Sequence, residues 1–189
     1  MGNIYFTSDL HFNHNRGFIY QPRGFSNVQD MNNAIIANWN DIAQDDDDIY
    51  VLGDICLGGP TSIDANKKLI ESLKGHIHII RGNHDTDTRI QMYKECTNVV
   101  EVVDARYLKC GKYNFYLSHY PTFTSNLEKE KLESCLINLY GHTHQKTNFY
   151  QDIPFMYHVG VDSHDCELVD IDTIIRQIKI KAAECFAQV

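Results

Sequence analysis

Seven residues of the types that bind metal ions recur in the 189-residue chain where short apolar runs end: Asp9 and His11, Asp54, Asn83, His119, His142 and His144. Their carboxylate, amide and imidazole groups form a hard-to-borderline donor set without thiolate. Such a set suits Mn, Fe, Zn or Ni rather than a closed structural zinc site. A dinuclear centre needs about six to eight donors, with one carboxylate bridging ions ~3.5–4 Å apart. Asp54 is the natural bridge, because Gly53 before it lets the backbone approach the cluster closely. In extended chain, residues i and i+2 share a face. Asp9 with His11, and His142 with His144, are therefore each expected to clamp the cluster from one direction. One D-x-H or one H-x-H is a weak signal, and a lone strand-end histidine is commonly a surface or core residue. The ordered set of five blocks is the specific feature.

The elements that must position these groups follow from hydropathy patterning. NIYFTSD reads as a buried strand ending at Asp9, DIYVLGD as one ending at Asp54, and HIHIIRGN as one ending at Asn83. Met31, Ile35, Trp39 and Ile42 fall at helical spacing within 28–44. A second helix is expected around 63–73 and a closing helix over 171–186. VVEVVDARYLK, KYNFYLSHY, CLINLYGHTH and FMYHVGVD make the later half strand-rich. Alternating strands and helices, with no repeat or linker, indicate one α/β domain over 1–189. In open α/β sheets ligands bind beyond the carboxyl ends of the strands, so five strand ends could converge on one site.

Composition narrows the function further. The formal net charge of −8 argues against binding extended nucleic acid, which needs a basic face. A small phosphate substrate stays compatible, because bound metal ions reverse the local sign. The six cysteines are scattered with no C-x-x-C pair, the usage of a reduced, cytoplasmic protein. No signal-peptide pattern precedes the first strand, and no apolar run approaches the 18 residues or so of a membrane span.

D-L-H (9–11), G-D (53–54), G-N-H-D (82–85), His119 and G-H-T-H (141–144) together resemble the five signature blocks of the calcineurin-like metallophosphoesterase superfamily, in that family's order. DLHFNH and GVD (160–162) are further similar to a small bacterial and phage branch. The resemblance implies a four-layer α/β/β/α sandwich, two divalent metal ions, Mn or Fe in the first place, and phosphoester hydrolysis. It would place Asp9, His11, Asp54 and His144 on one metal and Asp54, Asn83, His119 and His142 on the other. His84 would face the substrate and assist the phosphoryl oxygen or leaving group, with Asp85 orienting its imidazole. Attack would come from a hydroxide between the ions, whose pKa two cations lower strongly.

Other residues carry weaker signals. Arg81 could contact phosphate or make a salt bridge. His14, one turn past D-x-H, is expected at the rim, touching substrate or pinning the next loop. The segment 15–27 reads as a loop in which Arg16 and Arg23 could hold phosphate, and Phe18 and Tyr20 could stack a base. Asp162 could support the site, whereas His76, His78, His158 and His164 read as structural. Asp45–Asp48 reads as a solvated turn. The expected activity is hydrolysis of small phosphodiesters such as nucleotides, with monoesters a further possibility. The competing readings are a non-catalytic scaffold of the same fold and a nuclease acting on nucleic-acid ends.

Overall fold

The strands are short and their apolar residues alternate between two cores. In the computed structural model, which describes residues 2–58, 62–124 and 131–186, nine strands form two sheets. The first sheet contains β1 (Ile4–Thr7), β2 (Asp48–Val51), β3 (His76–Ile80), β4 (Val99–Val103) and β9 (Val169–Asp170), in the order β4-β3-β2-β1-β9. All its pairings are parallel except β1 with β9. The second sheet has the order β5-β6-β7-β8, from β5 (Arg106–Cys110), β6 (Tyr113–Leu117), β7 (Leu136–Tyr140) and β8 (Met156–His158).

Period-2 alternation decides what each face meets. Ile49, Val51, Ile77 and Ile79 face a core shared with helices α2 (Val28–Ile42), α3 (Ile63–Glu71) and α4 (Asp87–Lys94). Phe6, Tyr50, Leu52 and Ile80 face the other way, onto Phe115, Leu117, Ile137, Leu139 and Tyr157 of the second sheet. Helix α5 (Ile171–Phe186) adds Ile174 and Ile178 to this second core. The architecture is thus the expected α/β/β/α type, two sheets flanked by helices. On α2, Met31, Ile35 and Trp39 are buried as their spacing predicts, and Asn27 caps the helix by accepting from the Asp30 amide at 2.9 Å.

Register is what positions the site. Thr7 pairs with Val51 and Val51 with Ile79, so β1, β2 and β3 end side by side. Asp9, Asp54 and Asn83 follow those ends within a few residues. In the second sheet Leu117 pairs with Leu139 and Tyr140 with His158, which aligns the residues leading to His119 and His142. The sheets meet at a bridge between Ser8 and Gly160, and Val161 N–H donates to the Ser8 carbonyl at 3.1 Å.

Two expectations are corrected here. The segment 15–27 is not all loop, since Gly17–Tyr20 form the short helix α1. The Asp45–Asp48 run is a solvated turn only at Asp45 and Asp46. Asp47 is buried and accepts from Asn3 and Gln44 amides at 2.6 and 2.8 Å, tying the chain start to the β2 entry. Asp48 opens β2 and lies 2.9 Å from His78, which also meets Glu101 at 2.9 Å. His78 is accordingly structural.

Candidate metal centre

The strand-end groups gather in one basin. Asp9, His11 and His144 each present a donor atom within 4.8 Å of the others, and so do Asp9, Asp54 and His119. Asp54 Oδ2 lies 3.6 Å from His119 Nε2, 3.8 Å from His11 Nε2 and 4.0 Å from His84 Nε2, at the centre of the imidazoles. Asn83 Oδ1 is 2.8 Å from His119 Nε2 and 2.9 Å from His142 Nδ1. All seven expected donors are therefore adjacent.

The pairs do not converge by strand pleating, however. β1 ends at Thr7, before Asp9. Asp9, His11, Asp54, His142 and His144 all have left-handed backbone, with φ of 57, 51, 57, 69 and 49°. Non-glycine residues rarely adopt this conformation, and it costs on the order of 1–3 kcal/mol at each. Tight left-handed turns, not a shared strand face, aim these side chains inward. Gly53 and Gly82 permit the close approach. A Cβ on Gly53 (φ 91°) would lie 2.5 Å from His119 Nδ1, and one on Gly82 would collide with the Asp54 carboxylate.

Four observations fit divalent cations. Asp9 Oδ2 accepts from Ser8 Oγ at 2.6 Å and from the His142 amide at 2.8 Å, yet buried Oδ1 has no hydrogen-bond partner. An orphan buried carboxylate oxygen is costly unless a cation faces it. His119 Nδ1 lies 2.7 Å from the Leu52 carbonyl, which can only accept, so the ring's proton sits there and Nε2 keeps its lone pair. His144 Nδ1 likewise donates to Asp162 Oδ2 at 2.8 Å, turning Nε2 to the basin, 3.1 Å from His11 Nε2. Burial, reinforced by the charges of His144, Arg23, His14 and His84, pushes His11 down to about 2, favouring the neutral, ligating imidazole.

The support around these donors corrects three assignments. Arg23 does not reach for substrate. Its side chain is 1% exposed and pairs with Asp162 through Nε (3.0 Å) and Nη2 (2.8 Å). It also donates to the carbonyls of Asp9 (2.8 Å) and Leu10 (3.2 Å). Burial would raise Asp162, but hydrogen bonds from His144 and Arg23 outweigh it and hold the carboxyl well below the usual range. Asp85 does not orient the His84 ring. It is buried, with Oδ2 accepting from the Asp54 and Gly82 amides (2.9 and 2.8 Å) and Oδ1 from the Tyr93 hydroxyl (2.8 Å). It fastens the two ligand-bearing turns together. Arg81 makes the salt-bridge alternative, with Asp87 at 2.8 Å, and its Nε donates to the Asp85 carbonyl. Arg16 is exposed at the cap of α1.

Sequence reasoning missed Tyr93 and Arg89. The first is a buried α4 residue tied to Asp85; the second donates to the carbonyls of His84 and Gly58. Both lie in a polar stretch with little periodic signal. Tyr93→Phe is expected to destabilise the chain by about 1.5–3 kcal/mol, the contribution of a hydrogen bond to a charged group. Urea unfolding would measure this, and an unchanged midpoint would show that Asp85 needs no such support.

His84 stands apart from the donors. Its ring is 45% exposed, it packs edge-on to His11 at 5.5 Å, and its amide donates to Asp54 Oδ1 at 2.8 Å. Two clefts flank the basin. One, of about 530 Å³, is lined by His11, His14, Phe18, Ile19, Pro22, His84, His144, Lys146 and Asp162. The other, of about 520 Å³, is lined by Arg81 to Asn83, Asp104, Ala105, Tyr116 and Ser118 to Tyr120 with Thr122.

Two flanked sheets with a basin of carboxylate, amide and imidazole donors at the strand ends define a phosphoesterase-type α/β protein. Residues 3–161 match the calcineurin-like phosphoesterase superfamily domain, and the chain belongs to that superfamily. It is 33% identical to an uncharacterized protein of Methanocaldococcus jannaschii over 185 residues, 95% of this chain and 93% of that one. Identity to the gene 66 protein of Mycobacterium phage D29 is 29% over 196 residues, covering 92% and 94%. Among solved structures, a protein of unknown function from Aquifex aeolicus superposes with a TM-score of 0.70 at 21% identity, over 93% of this chain and 99% of that one. No helix among the described residues is long and apolar enough to cross a membrane.

Proposed function

We propose that the protein is a metal-dependent hydrolase of small phosphoesters, diesters before monoesters. The observation that carries this reading is the orphan, buried Asp9 Oδ1 facing imidazoles whose free nitrogens are set by second hydrogen bonds. Asp9, His11, Asp54 and His144 would hold one divalent ion, and Asp54, Asn83, His119 and His142 the other, Mn or Fe before Zn or Ni. Bound there, the ions would supply Lewis-acid polarisation of the phosphoryl group and a water of lowered pKa.

The chain's own part lies with His84 and the clefts. His84 Nε2 lies at the mouth of the basin and is free to donate a hydrogen bond to a phosphoryl oxygen or a proton to the leaving oxygen. Its position is held through the backbone, by Asp54 on its amide and Arg89 on its carbonyl. Clefts on both sides of the basin suit a phosphate carrying two organic arms. Six free cysteines suit a reducing compartment, the cytosol.

The test is hydrolysis of bis(p-nitrophenyl) phosphate and of p-nitrophenyl phosphate, with Mn²⁺ and with chelator. Turnover that needs metal and favours the diester is expected; turnover of neither would leave a non-catalytic scaffold. His84→Ala should lower kcat by about 10²–10⁴, the range of a positioned general acid. Its metal content should equal that of the parent, and loss of metal would reassign His84 as a ligand.

A further inference from the structure

The two clefts differ in chemistry, and the difference points to what the ester arms are. The cleft beside α1 has an apolar wall. Ile19 is buried and anchors the helix, while Phe18, next in the chain, is 71% exposed toward solvent beside the cleft. A phenyl ring that exposed fills no core. It stands edge-on to His14, with centroids 5.7 Å apart at 86°. His14 is itself 5.2 Å from the His11 ring and 6.2 Å from that of His84, so a run of flat rings leads from the donor basin to Phe18. Pro22 also lines the cleft. Beside it Lys146 keeps a largely exposed side chain with Nζ 3.3 Å from the Pro22 carbonyl and 3.9 Å from Asp162 Oδ1, leaving one more ammonium hydrogen to meet an acceptor on a ligand edge. The opposite cleft is polar, with Arg81, Asp104, Ser118 and Thr122 on its walls.

We propose that the cleft walled by Phe18, His14, Ile19 and Pro22 is a ring-binding subsite that takes the nucleobase of a small nucleoside phosphoester. This rests on the phosphoesterase reading, which places the phosphate at the basin. The base lies against Phe18, its acceptor edge toward Lys146, and the second, polar arm of a diester runs into the cleft by Arg81. With 17 basic against 25 acidic residues, the chain has no excess of cations to follow a long phosphate backbone, so the substrate is short.

Calorimetry on the Mn²⁺-loaded protein would compare adenosine 5′-monophosphate with ribose 5-phosphate. The nucleotide should bind about tenfold or more tightly, within what one base–aromatic contact contributes. Phe18→Ala should cut that ratio about tenfold, while Phe123→Ala, which removes a similarly exposed ring elsewhere, should leave it unchanged. Equal affinities in the parent, or a ratio indifferent to Phe18, would overturn the subsite. Adenosine itself, followed by saturation-transfer NMR on the metal-free protein, separates the two readings. Phe18-dependent adenosine contact without phosphate affinity would keep the subsite and sink the phosphoesterase reading. Phosphate affinity without adenosine contact would do the reverse. A thymidine 12-mer bound over tenfold more tightly than the dinucleotide thymidylyl-thymidine would overturn the small-substrate assignment.

Discussion

On the proposed two-metal reading, Asp54→Asn is expected to lower phosphoesterase turnover more than about a hundredfold and to reduce bound metal from two ions toward one or none. The lower bound follows from comparison with indirect support. Removing a residue that merely orients a ligand costs about 10–100-fold in affinity or activity, and a shared ligand cannot cost less. Asp54 Oδ2 lies within 4.0 Å of three imidazole nitrogens, so its charge acts on both halves of the basin. The substitution is isosteric, and asparagine Oδ1 can still accept from the His84 amide. Burial raises the Asp54 carboxyl against the opposing pull of His119 and the His84 amide, so its charge is a strain on the metal-free fold. The metal-free variant should therefore melt no lower than the parent. What it should lose is the rise in Tm that added Mn²⁺ produces, because a ligand stabilises only the state that binds it. Elemental analysis and melting curves with and without metal check both halves. Full activity with two ions per chain would remove Asp54 from the bridging position.

Arg23→Ala is expected to be the most destabilising of the changes considered. It leaves Asp162 buried without its cation and strips donors from the carbonyls of Asp9 and Leu10. Breaking a buried, hydrogen-bonded pair costs about 3–5 kcal/mol. In a chain of this length, at about 2–4 °C per kcal/mol, the Tm falls by about 10 °C. Metal affinity should fall as well, because Asp162 sets the tautomer of His144 and the Asp9 carbonyl lies in the turn that aims its carboxylate. Arg23→Lys should rescue little, since an ammonium cannot reproduce a planar fork that serves a carboxylate and two carbonyls together. Had Arg23 bound substrate phosphate, the loss would fall on KM with Tm unchanged. Thermal melts beside KM therefore separate the two roles, and an unaltered Tm would refute the structural one.

Legibility of the chain varied with the range of the interactions concerned. α2 was readable because Met31, Ile35 and Trp39 repeat at helical spacing over one buried face. α4 was not, because DTRIQMYK carries only scattered apolar positions. Its order comes from Met92 and Tyr93 packing into the core beside β4 and from an acidic first and basic last turn. The donor set was readable by type, since aspartates and histidines ending apolar runs are out of place in strand interiors. Its geometry was not. Pleat alternation suggested the right neighbours for the wrong reason, because left-handed turns at Asp9, His11, His142 and His144 replace extended chain.

By itself, then, the sequence determined which residues are available for metal chemistry and the succession along the chain of the strands that carry them. Both depend on residue type and local periodicity, which neighbours in the chain suffice to specify. Tertiary structure alone decided the offices of Arg23 and Asp85. Arg23 meets Asp162 across 139 positions and Asp85 meets the Asp54 amide across 31. A charged side chain beside a metal-type motif looks alike in sequence whether it faces solvent or a buried partner. Only the folded partner, by desolvating the pair, settles which.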